Sequence, residues 1–415
     1  MIVPEPPPQG DARIARAVWH AALACFVLAA VTGAGMRFAM MHGLPWGLSF
    51  ENARHAHSHL MFFAWVTPAL MMLALRTLHP AARGYWVAAA AVVAGLLAYL
   101  PFLTSGYHPT TLFGRELPLS MMAAGLNGAA WYAYAAVYLR ARRHASDGTV
   151  RHALDAALFL LLFASLGALG LAALGAGGLA SPDWMQALVA AFLDPFADGW
   201  FALALLALAY AARPDAARSR LARPAIDLLS VALAVRTVAR LARDTGTELA
   251  VPVAAAAGVA AGMGLLLACM PLLQDEVRRR GSAWSVPLAL LALKGGIAVV
   301  LALPAGQAWS DAMALRVLWL HAYLLGGLTL GLLAAARDRF GATIAGAPGW
   351  TTAATLVLLA GLLPLTGVWP RGATGTWVLP VAAWTSLAPP AVVLVSLLST
   401  FGPSIFRRPM GASGP

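Results

Sequence analysis

The sequence predicts an all-α, polytopic membrane protein of about twelve transmembrane helices. Three observations carry this. The 415 residues are 60% hydrophobic and only 11% charged, with a mean hydropathy of +0.75, a make-up outside the range of soluble globular domains. Apolar runs long enough to cross roughly 30 Å of hydrocarbon recur along the whole chain. Arginines alternate between the intervening gaps as the positive-inside rule requires.

The runs fall near 17–39, 53–75, 85–104, 118–139, 153–178, 184–211, 225–242, 250–273, 284–304, 310–335, 350–369 and 375–400. The first follows a Pro-rich stretch, Val3 to Gln9, has full spanning length and lacks a small-residue cleavage site. It reads as a retained helix rather than a signal peptide. The seventh is the weakest, interrupted by Asp227, Arg236 and Arg240. No gap is long enough to hold a soluble domain. The expected organisation is an N-terminal tail (1–16), a transmembrane domain (17–402) and a C-terminal tail (403–415).

The formal charge of +11 comes from arginine, because Lys294 is the single lysine. With the N-terminus placed in the cytoplasm, the cytoplasmic gaps collect most of them, among them Arg13, Arg16, Arg76, Arg83, Arg140, Arg142, Arg143, Arg213, Arg218, Arg278, Arg337 and Arg407. The opposite side collects Arg37, Arg54, Arg115, Arg240, Arg243 and Arg371. This bias puts both termini in the cytoplasm of a bacterial-type inner membrane. The basic balance then answers to topology and anionic lipid. No aromatic-interleaved basic patch points to nucleic acid. Walker, Gly-x-Gly-x-x-Gly and nucleophile-elbow patterns are missing, which leaves no basis for ATP-driven transport or hydrolase chemistry. Cys25 and Cys269 lie in the first and eighth runs without metal-ligand spacing and read as small packing residues.

Ionisable and ligating side chains inside a membrane are costly and default to a functional reading. The second run opens on Arg54-His55-Ala56-His57-Ser58-His59-Leu60, and the tenth holds Leu318-Trp319-Leu320-His321-Ala322-Tyr323. Both runs start on the outer side. At 1.5 Å per residue, His57 lies about 10 Å below a helix start at Phe50 and His321 about 18 Å below Trp309. Histidines in the same half of the bilayer on two helices suit axial ligation of one haem iron from opposite faces. Residues two apart on a helix point in opposed directions and residues four apart share a face. One metal therefore cannot take all three histidines of the triplet. Either His57 ligates a haem, or His55 and His59 form an i,i+4 pair for copper or zinc, and the two can coexist. The choice between His57 and His59 as the axial ligand stays open. His108 belongs to an outer loop.

The Arg54–Trp65 run resembles the second helix of subunit I of the haem-copper oxidase superfamily, above all its cbb3-type and nitric-oxide-reductase-like members. There an arginine stands three residues before the low-spin haem ligand, as Arg54 stands before His57. Phe63, Ala64, Trp65 and Pro68 continue the match. In the tenth helix the family carries His-x-His before a glycine-containing run. His321 with Gly326 and Gly327 matches the second histidine, and Trp319 occupies the place of the first. NnrS-type membrane haem proteins show a similar pair of helices. The resemblance implies a subunit I-like bundle holding one low-spin, bis-histidine haem b on His57 and His321. It also implies an electron donor such as cytochrome c or a quinol, and small partner subunits. The sequence departs from the family where oxygen is reduced. No histidine lies between His152 and His321, so the copper ligands expected on helices six and seven are missing, and Trp319 removes the second haem ligand. Electron transfer or nitric-oxide-related redox chemistry is expected, not oxygen reduction.

Two further groups are singled out. Asp194 and Asp198 lie mid-run in Leu193-Asp194-Pro195-Phe196-Ala197-Asp198, and Lys294 lies mid-run in the ninth. An unpaired charge at the bilayer centre costs several kcal/mol, so Lys294 is expected to pair with Asp194 or Asp198, as a proton or substrate site or as a structural pair. Arg54 and Arg316, at the outer ends of the two candidate ligand helices, are placed to meet haem carboxylates or to snorkel. The competing expectation is a haem-free twelve-span secondary transporter that uses Asp194, Asp198 and Lys294 for coupling. Against it, the Gly/Pro breaks of the two halves show no corresponding repeat.

Overall fold

The apolar runs, rich in alanine and leucine, become helices in the computed structural model, which describes residues 9–78, 84–145, 148–176, 181–244, 246–279, 282–341 and 346–401. In chain order they are α1 (Gln9–His42), α2 (Phe50–Leu78), α3 (Trp86–Ser105), α4 (Leu119–Ala141), α5 (Thr149–Ala176), α6 (Pro182–Ala212), α7 (Ala222–Asp244), α8 (Ala250–Arg279), α9 (Ser285–Leu301), α10 (Pro304–Ala312), α11 (Arg316–Phe340), α12 (Pro348–Leu365) and α13 (Val378–Thr400). The described strands are a hairpin in the loop before α4, with Thr110–Leu112 antiparallel to Arg115–Leu117.

Among the described residues nine helices are long and apolar enough to cross a membrane, or ten if α9 and α10 count as one crossing. Twelve were expected. The shortfall lies in α4 and α7, each 23 residues long but diluted by polar side chains. Asn127 and the tyrosines dilute α4. In α7 Asp227 meets His152 at 2.7 Å, while Arg236 and Arg240 turn to carboxylates of α6. The α9–α10 pair bends by 111°. Pro304 explains the break: the residue before a proline is pushed out of the helical region, and Leu303 sits at ψ 137°. The first helix begins at Gln9, inside the segment expected as a tail. The rest of that tail (1–8) and the C-terminal tail (403–415) lie outside the described residues.

Among the described residues three helices carry a π-helical stretch, a widened turn in which one extra residue is accommodated. They are Leu60–Val66 in α2, Asp194–Phe201 in α6 and Ala322–Thr329 in α11. Each stands beside a residue that weakens the regular i→i−4 ladder. Pro68 and Pro195 lack the N–H a helix interior needs, and Gly326 and Gly327 are poor helix formers. The three stretches also touch one another. Phe62 and Phe63 of α2 meet Phe201 and Phe196 of α6, each pair with ring centroids 5.6 Å apart. Trp65 Nε1 donates to Thr329 Oγ1 of α11 at 3.1 Å, and Tyr323 of α11 donates its hydroxyl hydrogen to the Ala197 carbonyl of α6. Around this centre Trp19 and Phe26 of α1 pack on Trp65. The core of the bundle is therefore where α2, α6 and α11 cross, and the expected functional residues stand on these three helices and their neighbours. Cys25 and Cys269 are both buried as free thiols.

Candidate functional site

The histidine triplet lies on α2 just outside its widened turn, and its members diverge. His57 faces α1. Its Nδ1–H donates to the Ala29 carbonyl at 2.7 Å, which leaves Nε2 with its lone pair. The ring fits because Gly33 has no side chain: a Cβ there would stand 2.8 Å from His57 Cε1. His59 faces the other way, toward α3 and its following loop. It stacks on Phe102 with centroids 3.8 Å apart, and its Nε2 lies 3.2 Å from the Tyr107 hydroxyl. His55 lies between, with Nε2 3.6 Å from Glu51 Oε1 and its ring edge-to-face with Tyr107.

His55 is thus engaged by Glu51, His59 stacks on Phe102, and both rings meet Tyr107. Among the described residues no group of three or more His, Cys, Asp or Glu is arranged to hold a metal ion, and the i,i+4 copper or zinc pair finds no further ligand. Arg54, expected near haem carboxylates, is exposed and pairs with Glu51 at 3.3 Å. Arg316 is exposed at the start of α11.

His321 is brought to the same region as His57. Its Nδ1–H donates to the carbonyl of Val317, one turn earlier, at 2.7 Å, and its Nε2 accepts from Arg37 Nη2 of α1 at 3.0 Å. Both histidines are therefore fixed as the Nδ1–H tautomer by a backbone carbonyl and present Nε2, the arrangement that orients a metal-ligating imidazole. Arg37 acts electrostatically on both rings. Gly33 and Arg37 were not singled out in the sequence as parts of this site. Their signal was present, one turn apart on the first run, but nothing local ties α1 to α2 and α11.

A second cluster lies across α11. Lys294 Nζ of α9 is 2.8 Å from Asp198 Oδ1, and Arg236 Nη1 of α7 is 3.6 Å from Asp198 Oδ2. Asp194 takes Arg240 at 2.8 Å and Arg236 at 3.4 Å. Lys294 thus pairs with Asp198, while Asp194 belongs to the arginines, whose role the sequence left unassigned. The Lys294 ammonium also lies 4.3 Å from the Trp319 ring centroid and 4.7 Å from that of Tyr323, a cation–π arrangement worth about 2 kcal/mol when desolvated. Trp319 is thus an aromatic wall for the lysine. No protein-family model and no curated protein matches the chain.

Proposed function

We propose that the protein is a membrane haem b protein, a twelve-helix bundle resembling haem-copper oxidase subunit I with both termini in the cytoplasm. In this reading one low-spin haem is held by His57 and His321. The single observation that carries it is the matched pair of imidazoles, each fixed at Nδ1 by a main-chain carbonyl, each offering Nε2, and both within the field of Arg37. The residues present fit the group, with one condition: the Arg37 guanidinium must leave His321 Nε2 before that nitrogen can ligate. Bound haem would supply one-electron chemistry. The chain's own contribution is to hold the two rings by their Nδ1–H groups so that each presents Nε2. A copper-containing oxygen-reducing centre has no ligand set here, because α6 to α9 carry no histidine. An electron-transfer or nitric-oxide-related redox role, served by a cytochrome c or quinol donor and small partner subunits, is the function this supports.

The spectrum of the purified protein tests the reading. A bis-histidine haem gives a sharp Soret band and split α/β bands on reduction. His57→Ala and His321→Ala each abolish them, and His55→Ala does not. A colourless preparation, after expression with ample haem supply, ends this reading. It would favour the second, a haem-free transporter, whose support is the partial exposure of Asp194 and Asp198 beside the buried Lys294.

A further inference from the structure

The charges around Asp194 and Asp198 do not balance. Two carboxylates face three cations, Arg236, Arg240 and Lys294, and the cluster carries one positive charge in excess midway along α6. Lys294 is held by a carboxylate at 2.8 Å and two aromatic faces within 5 Å. Arginine does not deprotonate in proteins. The nearest further charges on α7, Arg243 and Asp244, close their own pair at 2.6 Å. Tyr323 spends its hydroxyl hydrogen on the Ala197 carbonyl. Arg236 is stretched between both carboxylates at 3.4 and 3.6 Å. Arg240 has its Nε buried without a hydrogen-bond partner among the described residues. Surplus positive charge and an unmet guanidinium donor coincide, at a depth where neither is cheaply left alone.

We propose that this cluster is a binding site for a small monovalent anion. Arg240 and Arg236 supply the hydrogen-bond donors, and Asp194, Asp198 and Lys294 set the charge that admits one negative ion and no more. Guanidinium donors suit a planar oxyanion best. Side-chain exposure falls from 29% at Arg240 to 4% at Lys294, so the site opens at the Arg240 end of α7 and closes against the Trp319 face. The inference is independent of haem.

The test uses the purified full chain in nanodiscs of zwitterionic lipid, with thermal unfolding followed at fixed ionic strength while nitrate replaces gluconate. An ion that binds the folded state raises the midpoint saturably. Nitrate is expected to do so for the unaltered protein. Arg236→Gln, which neutralises the cluster, is expected to weaken the apparent affinity by about tenfold or more. Asp198→Asn, which raises the surplus to two, is expected to tighten it. Arg236→Lys keeps the charge and keeps a response, separating loss of charge from loss of fold. A midpoint that follows ionic strength alone overturns the proposal. So does an Asp198→Asn protein whose nitrate response is unchanged or weaker, and that arm decides even if Arg236→Gln fails to fold.

Discussion

Arg37 Nη2 donates to His321 Nε2 across 3.0 Å, joining the first helix to the eleventh through the one nitrogen that a metal would need. The same arginine acts on His57. It is therefore a competitor for the lone pair as well as a brace for the ring.

The competition can be measured. A hydrogen bond from a charged donor is worth about 1.5–3 kcal/mol, so Arg37→Leu is expected to tighten hemin binding to the apo-protein by roughly tenfold or more. Absorbance titration of apo-protein in detergent reads it directly. Weaker binding in Arg37→Leu would instead assign the guanidinium to the porphyrin's carboxylates.

Gly33 is the glycine that makes room for the His57 ring. A methyl group there meets His57 Cε1 at 2.8 Å, and the ring cannot retreat without losing the Ala29 carbonyl. Gly33→Ala is expected to destabilise the protein by about 1–3 kcal/mol through overpacking and to lower the haem-to-protein ratio below that of Gly35→Ala. Nothing lies within 4 Å of a Cβ built at Gly35, so that variant is the control.

Lys294 and Asp198 are expected to be strongly coupled. Removing one partner of a fully buried pair costs about 3–5 kcal/mol, and less is expected here because Asp198 keeps Arg236 at 3.6 Å. Lys294→Met should therefore lower the unfolding midpoint more than the Lys294→Met/Asp198→Asn double variant does. Additive effects in that cycle would show that the pair contributes no coupling.

Trp65 and Thr329 tie the widened turns of α2 and α11 together. Thr329→Val leaves the buried indole N–H without an acceptor, at a cost of about 1–3 kcal/mol. Trp65→Phe in the same background should then cost less than it does alone. Chemical-denaturant unfolding of the four proteins checks this, and equal costs in both backgrounds would refute the link.

The membrane class and the helical runs were legible because burial in lipid demands long apolar segments with internally paired backbones. The widened turns were not foreseen, although Pro68, Pro195 and the Gly326–Gly327 pair each weaken a helix locally. His57 and His321 were legible as histidines within long apolar runs, and the opposed directions of His57 and His59 follow from 100° per residue.

Pairing was not legible, because it depends on which helices touch. Sequence pattern narrowed the lysine's partner to two aspartates, and only the packing of α6 against α7 and α9 gave Asp198 to Lys294 and Asp194 to Arg240. Gly33, Arg37 and the arginines of α7 joined their sites by the same route. A side chain's chemistry and its face on a helix are local properties and are written in the chain. The identity of the group it meets depends on interhelical contacts among residues far apart in sequence, and only the tertiary structure decided it.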